Sequence, residues 1–188
     1  MRRRPDIGRS EYQMEVAVLR LGHRLVRDTR ITTHVALVAR AFGCQKIYMT
    51  YIDSSLEKTI NDINDRWGGK NEFEIEGVID WKPLVKSWKK SGGIIVHLTM
   101  YGININNMLP DIDTKRKLLI IVGASKVPKE IYCISDYNIA LGNQPHSEVS
   151  ALAVFLDRLF GGKELTRTFK SAKIRIIPSQ SGKMVKMD

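Results

Sequence analysis

The chain has 188 residues, enough for one domain with a full hydrophobic core. Its 43% hydrophobic content includes no apolar run near the ~20 residues that span a bilayer, and its two cysteines, Cys44 and Cys133, make neither a disulfide framework nor a metal-ligand spacing, which reads as a reduced, cytoplasmic protein. The formal net charge of +10 favours a polyanionic partner, nucleic acid first, and the basic residues cluster in Arg20–Arg30, Lys82–Lys90 and Lys163–Lys186.

Residues 1–13 read as a loose basic arm, with no apolar stretch of the kind a secretory signal needs. Glu15–Leu21 is a short strand. Gly22–Ile31 carries His23, Arg24, Arg27, Asp28 and Arg30 and is too charged for a buried element, so it reads as a loop. Thr32-Thr33 cap a helix over Val35–Phe42, which Gly43 ends. Lys46–Tyr51 is a strand, and Ser54 or Ser55 caps a helix that runs to Trp67 before Gly68-Gly69. Glu72–Ile79 alternates as a short strand. Trp81–Lys90 is a basic amphipathic helix stopped by Ser91-Gly92-Gly93, and Ile94–Leu98 is a strong strand.

Leu118–Val122 is a continuous β-branched and leucine run, suited to a parallel strand covered on both faces. Tyr137–Leu141 is a second buried strand. The helix Val149–Phe160 is apolar over most of its circumference and reads as buried. Ala172–Ile177 is a last strand candidate and Pro178–Asp188 a mobile tail. Strands alternating with helices predict one α/β domain, a three-layer structure on a parallel sheet, with the core in residues 14–162 and a basic C-terminal extension in residues 163–188.

The two strand ends open into small-residue loops, Gly123–Val127 and Gly142–Glu148. Side by side at strand ends of an open α/β sheet, such loops form a ligand crevice. Backbone N–H groups beside Gly123 and Ala124 permit close approach, and Leu98, Leu141 and Val127 would wall a slot for a planar heterocycle. Tight strand–helix turns of no ligand role are an equal reading of the same residues. The Gly-x-Gly-x-x-Gly fingerprint is missing, which weighs against a dinucleotide-dependent oxidoreductase, and no Walker loop is present. Arg20, Arg24, Arg27 and Arg30 form a phosphate-binding loop or a solvated loop paired with Asp28. Arg40 is expected on a helix surface. His23, His34, His97 and His146 lack the spacing of a metal set, so no metal is expected. His97 reads as a satisfied core histidine and His146 as a ligand or turn residue of its loop.

The phrase GNQPHSE within Leu118–Gly162, together with Val18–Gly43 and Ile95–Gly102, resembles the SPOUT methyltransferases, and specifically the archaeal tRNA cytidine-56 ribose 2′-O-methyltransferase family. The three blocks cover about half the chain. The resemblance implies an α/β fold with a C-terminal trefoil knot and a homodimer packed through the last helix. It implies methyl transfer from S-adenosyl-L-methionine to a ribose hydroxyl in the T-loop of tRNA. It assigns the cofactor to Leu98, to Gly123, Ala124, Ser125, Lys126 and Val127, and to Leu141, Gly142, Asn143, Gln144, Pro145, His146, Ser147 and Glu148. The wider group carries an asparagine and a catalytic arginine ahead of Ala-Phe-Gly. Aligning that ending with Ala41-Phe42-Gly43 puts Ile31 and Leu37 at those positions, so Arg20, Arg24 and Arg30 become the candidates for the arginine. A non-catalytic RNA-binding protein on the same fold is the alternative.

Overall fold

In the computed structural model, residues 14–23, 28–124 and 126–187 are described, which leaves the 1–13 arm, Arg24, Arg27 and Ser125 outside the described residues. Strand β1 (Val16–Leu21) is buried at every position and sits inside a six-stranded sheet. The chain continues through α1 (Thr29–Ala41), β2 (Lys46–Met49), α2 (Ser54–Trp67), β3 (Glu74–Gly77), α3 (Trp81–Lys90) and β4 (Ile94–Asn104). Then follow α4 (Ile105–Met108), a 3-10 turn at Leu109–Asp111, β5 (Leu118–Gly123), α5 (Lys129–Ile134), β6 (Tyr137–Ala140) and α6 (Glu148–Phe160). The sheet order is β3-β2-β1-β5-β4-β6, and every pairing in it is parallel.

Successive side chains of a strand point to opposite faces, and here both faces are covered. Val16 and Val18 join Ile120, Val35, Ala39, Leu152, Phe155 and Leu156 in the core under α1, α2 and α6. Ala17, Leu19 and Leu21 join Leu119, Ile121, Val85, Trp88 and Ile131 in a second core under α3 and α5. The predicted three-layer α/β domain with a parallel sheet is what forms.

Local chemistry sets several boundaries. Helix α1 begins at Thr29, a turn before the predicted Thr32-Thr33 cap, because the stretch read as a solvated loop is partly interior: Asp28 is wholly buried and its carbonyl accepts the Thr32 hydroxyl at 2.8 Å. Helix α2 is capped by Asp53, whose carboxylate accepts Leu56 N–H at 2.7 Å and the Ser55 hydroxyl at 2.6 Å, rather than by a serine. Helix α6 starts with the Ser147 hydroxyl on Val149 N–H and ends at Gly161, whose φ of 63° suits glycine. Its outer face is not closed, since Val154 is 45% exposed. Helices α4 and α5 are too short for periodicity to have revealed them.

Pro178–Asp188 is not simply a tail. Strand β8 (Met184–Met187) pairs antiparallel with β7 (Ile174–Ile177), which is shorter than the predicted Ala172–Ile177. The segment before this hairpin is tied to α2 and the turn after it, with Lys173 N–H on Arg66 C=O at 3.0 Å and Lys170 N–H on the Glu72 carboxylate at 2.8 Å. Arg40 belongs to the same region. It is buried, not on the surface: Nε donates to Asn64 Oδ1 at 2.8 Å, Nη2 donates to Gly68 C=O, and its guanidinium lies over the Phe169 ring. Cys44 is buried, whereas Cys133 is exposed.

Candidate active site

The C-terminal ends of β4 and β5 and the loop before α6 enclose a cavity of about 740 Å³. Its apolar walls include Leu98, Val122, Ala124, Val127 and Ala151, and Lys126, Lys129, His146 and Glu148 supply polar groups. This is the crevice at strand ends anticipated from the two small-residue loops. Small residues at Gly123 and Ala124 let a ligand reach the main chain, and the apolar walls accept a flat heterocycle.

Eight of the predicted residues line the cavity: Leu98, Gly123, Ala124, Lys126, Val127, Pro145, His146 and Glu148. Leu141, Gly142, Asn143, Gln144 and Ser147 are not among the lining residues. Leu141 falls just past β6 and is partly buried against the core under α1 and α6. Ser147 caps α6. Asn143 Nδ2 donates to the carbonyls of Met100 and Gly102, at 2.7 and 3.3 Å, and so holds the end of β4.

The sequence reading did not assign Thr99, Met100, Tyr101, Val122, Lys129, Tyr132 and Ala151 to the cavity, and it gave His97 only a core role. The missed β4 residues follow Leu98 directly, but the predicted strand stopped there, while the real one continues to Asn104. Its pairing with β6 breaks and resumes, with Leu98 and Ile103 both opposite Ile139. His97 is 1% exposed and satisfied as expected, with Nδ1 2.9 Å from Asn138 Oδ1 and its ring edge-on to Tyr132 at 4.6 Å between centroids. Burial pushes its pKa below the ordinary value, the Asn138 contact opposing, so the ring in the cavity wall is neutral at physiological pH.

Arg20 shares the sheet face of Val16 and Val18, yet it is a charged side chain 1% exposed. It is held by carboxylates from the starts of two helices. Its Nη2 lies 3.2 Å from Glu148 Oε1 in the first turn of α6 and 3.8 Å from Asp28 Oδ2 at the start of α1, and Nη1 donates to Gly22 C=O at 3.1 Å. Acidic groups at helix N-termini are favoured by the helix dipoles, which helps to neutralise the buried guanidinium. Arg30 is exposed on the first turn of α1, so Arg20 and Arg30 occupy different environments, and Arg24 lies outside the described residues.

Comparison with known proteins bears on the family. Residues 67–186 match the family model described as tRNA ribose 2′-O-methyltransferase, aTrm56. A tRNA (cytidine(56)-2′-O)-methyltransferase of Methanocaldococcus jannaschii is 54% identical over 175 residues, 92% of this chain and 96% of that protein. One from Thermococcus kodakarensis is 55% identical over 175 residues, 90% and 96% of the two chains. One from Nitrosopumilus maritimus is 52% identical over 174 residues, 93% and 97%. Among solved structures, an RNA 2′-O ribose methyltransferase superposes with a TM-score of 0.59 at 11% identity, covering 86% of this chain and 61% of that one. The SpoU methyltransferase AviRb from Streptomyces viridochromogenes, in complex with AdoMet, gives 0.57 at 11% identity over 85% and 61% of the chains, so the likeness in fold reaches well beyond the likeness in sequence. On the family model and on the identity sustained along nearly whole chains, this chain belongs to the aTrm56 family of tRNA ribose 2′-O-methyltransferases.

Proposed function

We propose that this chain methylates the ribose 2′-hydroxyl of cytidine 56 in tRNA with S-adenosylmethionine as donor, and that the cavity at the ends of β4 and β5 is where donor and ribose meet. Kinship of about half the residues with enzymes named for that reaction supports the reaction. The cavity is the observation that carries the site: apolar walls, small-residue backbone and room for more than one ring system. Leu98, Val127 and Ala151 would hold the adenine ring, and the backbone at Gly123 and Ala124 its edge. Glu148 would sit near the sulfonium as a fixed negative charge. S-adenosylmethionine supplies an already activated methyl group.

The work left to the protein is alignment, exclusion of water and relief of the proton lost by the hydroxyl. Arg20 acts from behind the cavity wall, holding Glu148 in place, and is a positioning residue in this reading. Arg30, exposed on α1 in the same basic segment, steers the RNA phosphate. Arginine does not serve as the base because its pKa exceeds ~12, so the proton leaves through water or phosphate.

The remaining features follow the family. The strand order β1-β5-β4-β6, with α6 returning to pack beside α1, supports a knotted path for residues 118–162. Val154, exposed with Ser150 and Arg158 along the outer face of α6, supports a homodimer packed through that helix. Exposed Lys82, Lys86 and Lys90 along α3 supply charge for the tRNA backbone, and a cytoplasmic location accords with a tRNA substrate.

The test is transfer of labelled methyl to an unmodified tRNA transcript and to one with a 2′-deoxy sugar at position 56. Label on the first alone is expected. Equal label on both moves the target atom. No label on either, with tRNA bound, returns the RNA-binding alternative.

A further inference from the structure

We infer that Tyr101 is a stacking platform for the cytosine whose ribose is methylated. The inference rests on the methyltransferase reading of the cavity, and concerns how its nucleotide substrate is held.

The geometry is unusual for a strand. Because Leu98 and Ile103 both face Ile139 on β6, residues 99–102 leave the ladder and protrude. Bulges next to active sites re-aim side chains, at the cost of ladder hydrogen bonds. This one is firmly braced. Asn143 Nδ2 donates to the carbonyls of Met100 and Gly102, on either side of Tyr101. The Thr99 hydroxyl meets the Tyr132 hydroxyl at 3.2 Å. Gly102 passes so close to β6 that a Cβ there would sit 2.4 Å from Asn138 O, so only glycine fits.

The braced excursion holds an aromatic ring in water. Tyr101 is 75% exposed while lining the rim of the cavity, on the same rim as Lys126 and Lys129, both exposed. An apolar ring left in solvent on a rigid support gains nothing in folding. Beside a cavity that must admit a ribose, it offers a face to a base, and a base is joined to its ribose by one bond. Aromatic faces are the usual partners of unstacked RNA bases, with flanking cations for the phosphates.

The test is tRNA affinity by anisotropy titration, which needs no turnover, for wild type, Tyr101→Ala and Tyr101→Phe. The RNAs are an intact transcript and one lacking the base at position 56 but keeping its 2′-hydroxyl. Tyr101→Ala should weaken the intact transcript by about 5- to 150-fold, the range of one lost stack. Tyr101→Phe should stay within about 3-fold, because the ring face is what binds. The alanine change should alter the abasic RNA by no more than about 2-fold, since the two losses share one contact. Equal losses on both RNAs, or an alanine variant that binds like wild type, overturn the assignment. A parallel loss of S-adenosylmethionine affinity in the alanine variant, read by calorimetry, overturns it too by placing the ring in the cofactor site. Failure of wild type to methylate, with the affinity pattern intact, removes the reaction and leaves the stack.

Discussion

The Nη2 of Arg20 on β1 lies 3.2 Å from Oε1 of Glu148 on α6, a contact between residues 128 apart in the chain. It joins the buried end of the central strand to the wall of the cavity. Removing the charge with Glu148→Gln leaves the guanidinium with a weaker acceptor there, and breaking one side of a buried pair costs about 3 kcal/mol. Urea unfolding of Arg20→Met, Glu148→Gln and the double variant should show a coupling of about 1–3 kcal/mol. Each single change should also lower kcat by about 100-fold through misplacement of the wall, while tRNA affinity stays near wild type. Unchanged kcat in variants that remain folded would remove Arg20 from the site.

Arg40 should behave differently. Its contacts with Asn64, Gly68 and the Phe169 ring join α1 to α2 and to the segment before the hairpin, away from the cavity. Arg40→Ala is expected to destabilise the fold by about 3 kcal/mol, since buried acceptors lose a charged donor and ring packing is lost. Thermal unfolding reads that loss, and kcat measured well below the transition should be within about 2-fold of wild type.

His97 carries a pH dependence of definite sign. Its folded pKa lies below the ordinary value of 6.5, chiefly because burial disfavours the imidazolium. Between that lowered value and 6.5 the unfolded chain binds a proton that the folded chain refuses, so stability rises with pH across this window. The contribution is complete above 6.5 and is lost as pH falls through the window. His97→Asn, which keeps a group opposite Asn138, should flatten the fall in Tm between neutral and mildly acidic pH. An unchanged slope would mean that other groups govern it.

Gly102→Ala should disturb the bulge, because the added Cβ meets backbone of β6 rather than a side chain that can swing aside. A cost of about 2–3 kcal/mol is expected from the forced shift. The readouts are the unfolding midpoint and tRNA affinity, and affinity should fall even where the variant is fully folded. Wild-type values of both would show that the chain at 99–102 moves freely.

Phosphate contacts predict a salt slope. Affinity for tRNA should fall steeply between about 50 and 200 mM salt, with log K against log salt having a slope near −0.9 for each phosphate neutralised on a duplex arm. Changing Lys82, Lys86 and Lys90 together to glutamine should make that slope shallower and leave S-adenosylmethionine affinity as it was. An unchanged slope would remove α3 from the RNA surface.

The apolar stretch Val16–Leu21, the unbroken Leu118–Val122 run and the apolar positions of Val149–Phe160 were enough to establish a parallel three-layer domain, because strand and helix periods are local and burial on both faces leaves a plain hydrophobic record. The small-residue loop after β5 marked the cavity for a similar reason, since glycine and alanine are used where a ligand approaches backbone, and the loop after β6 adds Pro145, His146 and Glu148. Long-range pairing decided the rest. A buried arginine and an exposed one look alike in sequence, and only the parity of β1 against α1 and α6 separates Arg20 from Arg30. Arg40 turned inward because Asn64, Gly68 and Phe169 converge on it from distant segments. MVKM became a strand only by meeting IRII. The protruding Thr99–Gly102 segment depends on the register of β4 against β6 and on the reach of Asn143, and neither leaves a periodic trace in the sequence around Tyr101.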